Sequence, residues 1–231
     1  MNFHFEAVWA KFDLIMEGVG LTIALSVGAI VLGSLLAIAL VAARSLGGKW
    51  VGYLVDAYVE LMRNTPFLVQ LFMIFFGLPL IGLKMPGNVA ALLAMTLNLG
   101  AYASEILRAG IDSVHRSQLE AGASLALTRW QVFRYVMLPP AIARVWPALS
   151  SQFVLMMLAS SICSFIAVRE LSGMAAIIEQ DTFRSFEVYI VVTIIYLVLA
   201  LSLKALLSII GKRLFPNTSG LARIEAQGST V

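Results

Sequence analysis

Asn98, Tyr102 and Glu105 fall at i, i+4 and i+7, which puts an amide, a phenol and a carboxylate on one helix face. The other polar residues within apolar runs are few: Gln70, then Ser160, Ser161 and Ser164. Together they offer acceptors for an ammonium and donors for a carboxylate, the two ends of a zwitterionic solute. The same residue types glue helices together in lipid, at about 0.6 kcal/mol apiece. The set therefore reads either as a ligand path or as helix-to-helix glue. Glu105 has a third reading, an ion pair with Arg108 at i+3 or with Arg63.

Enzymatic chemistry finds no such support. The histidines, His4 and His115, stand at loops, near neither the single Cys163 nor an acid pair, and no His-Glu-x-x-His occurs. No catalytic residue and no metal ligand is expected. Cys163 lies in an apolar run and reads as a small core residue. There is no Gly-x-x-x-x-Gly-Lys-Ser/Thr phosphate loop; Gly47-Gly48-Lys49-Trp50 lacks both the glycine spacing and the hydroxyl. The chain is not expected to hydrolyse ATP itself.

The elements that must position these residues are membrane helices. Sixty per cent of the chain is hydrophobic and 13% charged, with mean hydropathy +0.92, against about 25% charged residues in a soluble domain. A span needs about 20 apolar residues. Five stretches qualify: 19–43, 65–83, 85–104, 145–168, and 188–203, the last extended to residue 211 if Lys204 snorkels. Trp50 to Met62 reads as an interfacial helix with Val51, Leu54, Val55 and Tyr58 on its apolar face, and Pro66 breaks the junction with the second span. The fold class is all-α, with five transmembrane helices. Residues 1–18 form an N-terminal segment, 19–215 the membrane domain and 216–231 a polar tail. Met1 to Gly18 carries Glu6, Asp13 and Glu17 against Lys11, which is not the positive start of a signal peptide.

Loop charge orients the bundle. With the N-terminus outside and the C-terminus inside, Arg44, Lys49, Arg108, Arg116, Arg129, Arg134, Arg144, Lys212, Arg213 and Arg223 face the cytoplasm. Lys11, Lys84, Arg169 and Arg184 then lie outside, and Arg63 and Lys204 are assigned to neither side. This asymmetry, rather than binding to nucleic acid, accounts for the net charge of +3. In the outer loop 169–187, Leu171, Met174 and Ile178 share one face, as in a short helix lying over the outer mouth.

The inner loop between spans three and four, about 112–140, is the most informative segment. Ser117-Gln118-Leu119-Glu120 fits a capping box, and Thr128-Arg129-Trp130-Gln131 fits a second. Two short helices with a corner at Leu127–Thr128 are expected. The first bears small residues, Ala121, Gly122, Ala123, Ser124 and Ala126, that would let a partner approach closely. The second has Trp130, Phe133, Val136 and Met137 on an apolar face, and Pro139 is expected to end it.

Glu120-Ala121-Gly122 followed by Val136-Met137-Leu138-Pro139 resembles the EAA loop of permease subunits of ATP-binding cassette importers. Gly122 stands where the family's second alanine is usual, and Ala126 where its glycine is usual. Arg63-Asn64-Thr65-Pro66 with Leu68-Val69-Gln70, and Tyr102 to Ile111 including Glu105 and Arg108, resemble segments of the polar amino-acid branch. The resemblance covers about residues 18–215. It implies a pore subunit in a bacterial inner membrane, working with a second permease subunit. Its coupling residues, Glu120, Ala121, Gly122, Ala123, Ala126, Leu138 and Pro139, would seat on a dimeric ATPase that carries ATP and Mg, while an external binding protein delivers an amino acid or similar solute. A passive channel or secondary transporter is the alternative; the capped inner loop and the lack of inverted halves argue against it.

Overall fold

The computed structural model describes residues 5–216. His4, Arg223 and the expected tail from residue 217 lie outside them. Among the described residues every regular element is helical. Helix α1 (Glu6–Trp9) is a single turn, and α2 (Phe12–Leu46) follows with 35 residues. At about 1.5 Å per residue, α2 outruns the roughly 30 Å of hydrocarbon. It begins at Phe12 rather than Val19 because Ile15 and Gly18 are buried and extend its packed face.

The second span departs from a straight helix. Helix α3 (Lys49–Arg63) and the segment Phe67–Ile81 meet at an angle of 108°. That segment starts as α4 (Phe67–Phe72), widens into a π-turn over Met73–Gly77 and tightens into a 3₁₀ turn over Leu78–Ile81. Gly82, at φ +88°, ends it in a conformation that favours glycine. The expected apolar face of α3 divides: Val55 and Tyr58 turn toward the bundle with buried Val59, while Trp50, Tyr53 and Leu54 point outward.

Helix α5 (Gly87–Asp112) is the third span, extended beyond Ser104 through Glu105, Arg108 and Asp112, which pair at i+3 and i+4. An arm follows: α6 (Arg116–Ser124), α7 (Arg129–Gln131) and a π-turn over Val132–Met137. The prolines do not end this helix. Leu138 stays helical (φ −65°, ψ −45°), and Pro139 and Pro140 occupy the first turn of α8 (Leu138–Ala159). First-turn prolines are tolerated because their missing N–H has no helical partner to lose. A 3₁₀ run over Ser160–Ile166, α9 (Leu171–Thr182) and α10 (Ser185–Leu214) complete the chain. Four helical stretches are long and apolar enough to cross a bilayer, and the bent pair supplies a fifth when taken as one span.

Packing centres on α2 and α5. Leu99 fits the notch at Gly33, Leu36 the notch at Gly100, and Leu92 lies over Gly28. Buried alanines (Ala29, Ala37, Ala90, Ala91, Ala94, Ala101, Ala103) bring the two backbones close, as small residues do in membrane bundles. A second cluster gathers around α9. Leu171, Met174 and Ile178 do share its buried face, but that face is wedged between α2 and α10 rather than laid over an opening. The notch at Gly18 makes this possible, since a Cβ there would sit 2.9 Å from Leu171 Cα.

Gly100→Val puts a Cβ within 2.5 Å of Leu36 and is expected to destabilise the detergent-solubilised protein by about 1–3 kcal/mol, read as a lower thermal midpoint. Gly20→Ala, with nothing within 4 Å of the added carbon, leaves the midpoint unchanged or slightly raised.

Candidate functional site

The motif residues of the second and third spans converge on the elbow at Pro66. A broken helix leaves backbone carbonyls without helical partners, and each one shut away from water with no substitute costs several kcal/mol. Here side chains supply the partners. Thr65 Oγ1 donates to Leu61 O at 2.8 Å, and Asn64 Nδ2 to Glu60 O at 2.9 Å. Gln70 Nε2 reaches Met62 O at 2.8 Å, Thr65 O at 3.1 Å and Thr65 Oγ1 at 2.8 Å. Gln70 Oε1 then accepts from Asn98 Nδ2 at 2.9 Å, which ties the elbow to α5. Both amides are buried.

Two phenols close the same seam. Tyr58 donates to Leu97 O at 2.7 Å and Tyr102 to Arg63 O at 3.3 Å. The Arg63 guanidinium lies 5.9 Å from the Tyr102 ring centroid and 3.8 Å from Glu105. Glu105 also pairs with Arg108, which reaches Asp112 at 3.2 Å, and Arg44 of α2 pairs with Asp56 of α3. These ions border an open cleft between α2, α3 and α5. Their side chains are 27–63% exposed, Asp112 most of all, so each pair contributes little energy and mainly fixes geometry.

The face expected at Asn98, Tyr102 and Glu105 is therefore real, and all three residues turn toward the elbow. The hydrogen-bonding groups proposed for a zwitterion are engaged within the chain. The serines are elsewhere. Ser160, Ser161 and Ser164 donate to the carbonyls of Met157, Leu158 and Ser161 at 2.6–2.8 Å, each three residues back in the 3₁₀ run. Ser160 is fully buried; the other two are half-buried.

The arm differs from expectation at its first cap. His115, not Ser117, is the N-cap of α6: its Nδ1 accepts from Ser117 N at 3.3 Å and lies 2.7 Å from Ser117 Oγ. Ser117 is inside the helix, so Glu120 is not at N3 and makes no capping box; it is exposed. The second box is present, with Thr128 Oγ1 accepting from Gln131 N at 3.3 Å and Gln131 Oε1 accepting from Thr128 N at 2.8 Å. Between them the chain turns by a Schellman motif, with Leu127 N donating to Gly122 O at 3.2 Å and Ala126 N to Ala123 O at 2.9 Å. Ala126 takes the left-handed conformation at φ +54°, which explains why glycine suits this position.

Gly122 faces into the arm. A Cβ there would meet Val132 Cγ2 at 3.3 Å and Val136 Cγ2 at 3.6 Å. Its small size seats α6 on the π-turn. Ala121, Ala123, Ser124, Leu125 and Ala126 point outward, and Leu125 is 75% exposed. Phe133 (1% exposed) roots the arm in the bundle core. At its base Gly110 packs against Ala141, and Arg144 Nη1 donates to Ser113 O at 2.9 Å. Leu138 is half-buried at this root and Pro139 is exposed.

Sequence reading missed the Tyr58 and His115 contacts and the buried Glu170. An Asx-like cap at His115 and an acid two residues past a charge-free run carry only faint signals.

A helical membrane bundle with a bent second span and a projecting capped arm is the architecture of a transporter's permease subunit. The chain belongs to the family of binding-protein-dependent transport system inner membrane components, whose profile matches residues 29–216. It is 32% identical over 216 residues to the glutamine transport system permease protein GlnP of Escherichia coli, covering 93% of this chain and 99% of that protein. It is 36% identical over 204 residues to a probable glutamine ABC transporter permease protein, GlnM, of Bacillus subtilis, covering 88% and 94%. The crystal structure of an amino acid ABC transporter with histidines superposes with a TM-score of 0.83 at 35% identity, over 92% of this chain and all of that one. An inward-facing MetNI methionine ABC transporter shares the fold, with a TM-score of 0.77 at 17% identity over 89% and 98% of the chains.

Two results follow from the geometry. A double-mutant cycle with Gln70→Ala and Asn98→Ala is expected to give a coupling energy of about 1 kcal/mol in unfolding from bilayer-like micelles; independent effects would mean that the amides do not meet. Ala126→Gly is expected to stabilise the protein by about 1 kcal/mol, by removing the left-handed strain of an L-residue.

Proposed function

We propose that this chain is the permease subunit of an ATP-driven amino-acid importer of a bacterial inner membrane. The observation that supports this reading best is the arm between α5 and α8. It projects one apolar side chain, Leu125, from a tip of small residues, while its roots are fixed in the bundle core. A separate ATPase dimer, carrying ATP and Mg, takes that tip in a groove. The contact is short-range, because Ala121, Ala123 and Ser124 leave α6 without bulk. A second permease subunit completes the pore, and an external binding protein delivers the solute. Glutamine and related amino acids are the solute class, on the strength of the names borne by relatives covering most of this chain.

The sidedness follows the charges. With the N-terminus outside and the C-terminus inside, the arm, Arg44, Lys49, Lys212 and Arg213 face the cytoplasm. Glu120, Ala121, Ala123 and Ala126 make the docking surface, Gly122 seats it, and Leu138 and Pro139 join it to α8. Because Gly110 and Arg144 clamp α5 to α8 at the base of the arm, a push on Leu125 moves α5. The Gln70–Asn98 bond carries that motion to the elbow. Gln70, Asn98, Tyr102 and Glu105 thus serve the pathway as its moving frame, while Ser160, Ser161 and Ser164 belong to a separate stretch of it.

Leu125→Asp places a charge where an apolar contact is required. The variant is expected to reach the membrane normally yet lose solute-dependent ATPase stimulation and uptake by roughly tenfold or more. Undiminished uptake would contradict the docking role. Separately, a membrane-impermeant thiol reagent should label Lys84→Cys in intact cells and Ser124→Cys only after permeabilisation; the reverse pattern would invert the topology.

A further inference from the structure

Glu170 is fully buried beside the N-terminus of α9, and the transport reading does not use it. Its Oε1 accepts from Gly173 N at 2.8 Å; its Oε2 accepts from Ser172 N at 3.0 Å and meets Tyr196 Oη at 2.6 Å and, more distantly, Thr22 Oγ1 at 3.5 Å. Thr22 Oγ1 accepts in turn from Leu171 N at 3.1 Å. The carboxyl thereby joins α2, α9 and α10. Among the described residues no Lys, Arg or His lies within ion-pair distance of it, and its neighbour Arg169 is exposed. The titratable groups facing it are Tyr196 from α10 and buried Cys163 from the 3₁₀ run; α2 offers only the Thr22 hydroxyl. A buried anion without a cation is expensive, and the economical state of such a carboxyl is neutral.

The hydroxyls around it can serve either state. Ser172 Oγ lies 3.1 Å from Tyr196 Oη, and either atom can donate. With Glu170 protonated, its O–H donates to Tyr196 Oη, whose hydrogen turns to Ser172 Oγ. With Glu170 ionised, both hydroxyls reverse: Ser172 donates to Tyr196 and Tyr196 to the carboxylate. No heavy atom needs to move, and Ser172 is half-buried, so its hydroxyl is the least enclosed member of the hydrogen-bonded chain.

We propose that Glu170 is a proton-binding site that exchanges its proton with water through Tyr196 and Ser172, and that the bound proton tightens the seat of α9 between α2 and α10. Burial raises the carboxyl above the ordinary carboxylate range, against the opposing pull of the hydroxyl and backbone donors. A raised pKa in the folded state means that the protonated form favours folding. The stabilisation is complete below the unfolded value of about 4.3 and is lost as pH rises through the folded value. Alkalinisation therefore loosens α9.

The test is infrared titration of the full chain in nanodiscs, with hydrogen exchange of α9 amides in parallel. A carboxylic-acid C=O band should persist to higher pH than a solvent-exposed glutamate allows, and be missing from Glu170→Gln. Exchange of the α9 amides, corrected for intrinsic rates, should rise with pH in the parent and stay level in Glu170→Gln. Tyr196→Phe removes a donor to the anion, so the band should survive to higher pH; this variant tests the site even if Glu170→Gln fails to fold. An acid band in the parent that titrates no higher than that of an exposed glutamate, or a band unchanged by Tyr196→Phe, would overturn the proposal.

Discussion

Backbone polar groups at membrane depth must find partners within the protein, because lipid offers none. Most of this chain meets that demand with unbroken helix. At Pro66 it cannot, since a turn of 108° interrupts the ladder. Gln70 sits where its amide nitrogen covers the exposed carbonyls of Met62 and Thr65 while its oxygen takes a bond from Asn98. That amide steadies the elbow, and α5 holds the amide. The rest of the architecture depends on this arrangement: the direction of α3, the short second span, and the cleft edged by Arg44, Asp56, Glu60, Glu105 and Arg108.

The same helix carries the arm. Gly110, about three turns beyond the level of Asn98, packs against Ala141, and Arg144 grips the end of α5 through the Ser113 carbonyl. One rigid element thus connects a tip that projects from the bundle with a hinge that would otherwise be free. Small residues serve both ends in different ways. At Gly122 a missing side chain lets α6 rest on Val132 and Val136, whereas at Gly33 and Gly100 it lets α2 and α5 interlock through leucines. The first holds the arm's shape; the second holds its support. Capping is shared out likewise, with His115 and Thr128 satisfying the orphan amides of two helices too short to stand alone.

Much of this was legible in the chain because lipid simplifies the code. Charge-free runs located the spans, and Thr128 with Gln131 announced its cap correctly. Asn98, Tyr102 and Glu105 could be placed on one face by spacing alone. What spacing could not give was the direction of that face, since an amide that welds two helices and one that awaits a ligand look alike in sequence. The errors have physical causes. Ser117 is a better cap by type than His115, but the backbone at His115 is extended and that at Ser117 is helical. Pro139 and Pro140 were read as a stop, yet after a π-turn they fall in a first turn, where proline costs nothing. The outer helix was placed over an opening because its apolar face was evident and its neighbours were not; the notch at Gly18 and the acid at Glu170 draw it inward.

The central claim is that the arm, α5 and the elbow move as one body. Spin labels at Leu61→Cys beside the elbow and Leu125→Cys at the arm tip, in a Cys163→Ser background, measure it directly by pulsed dipolar spectroscopy in the assembled transporter. The account predicts one narrow intrachain distance that is the same without nucleotide and with ATP bound. A distance that shifts or splits between those states would show the arm bending independently of the elbow, and would contradict it.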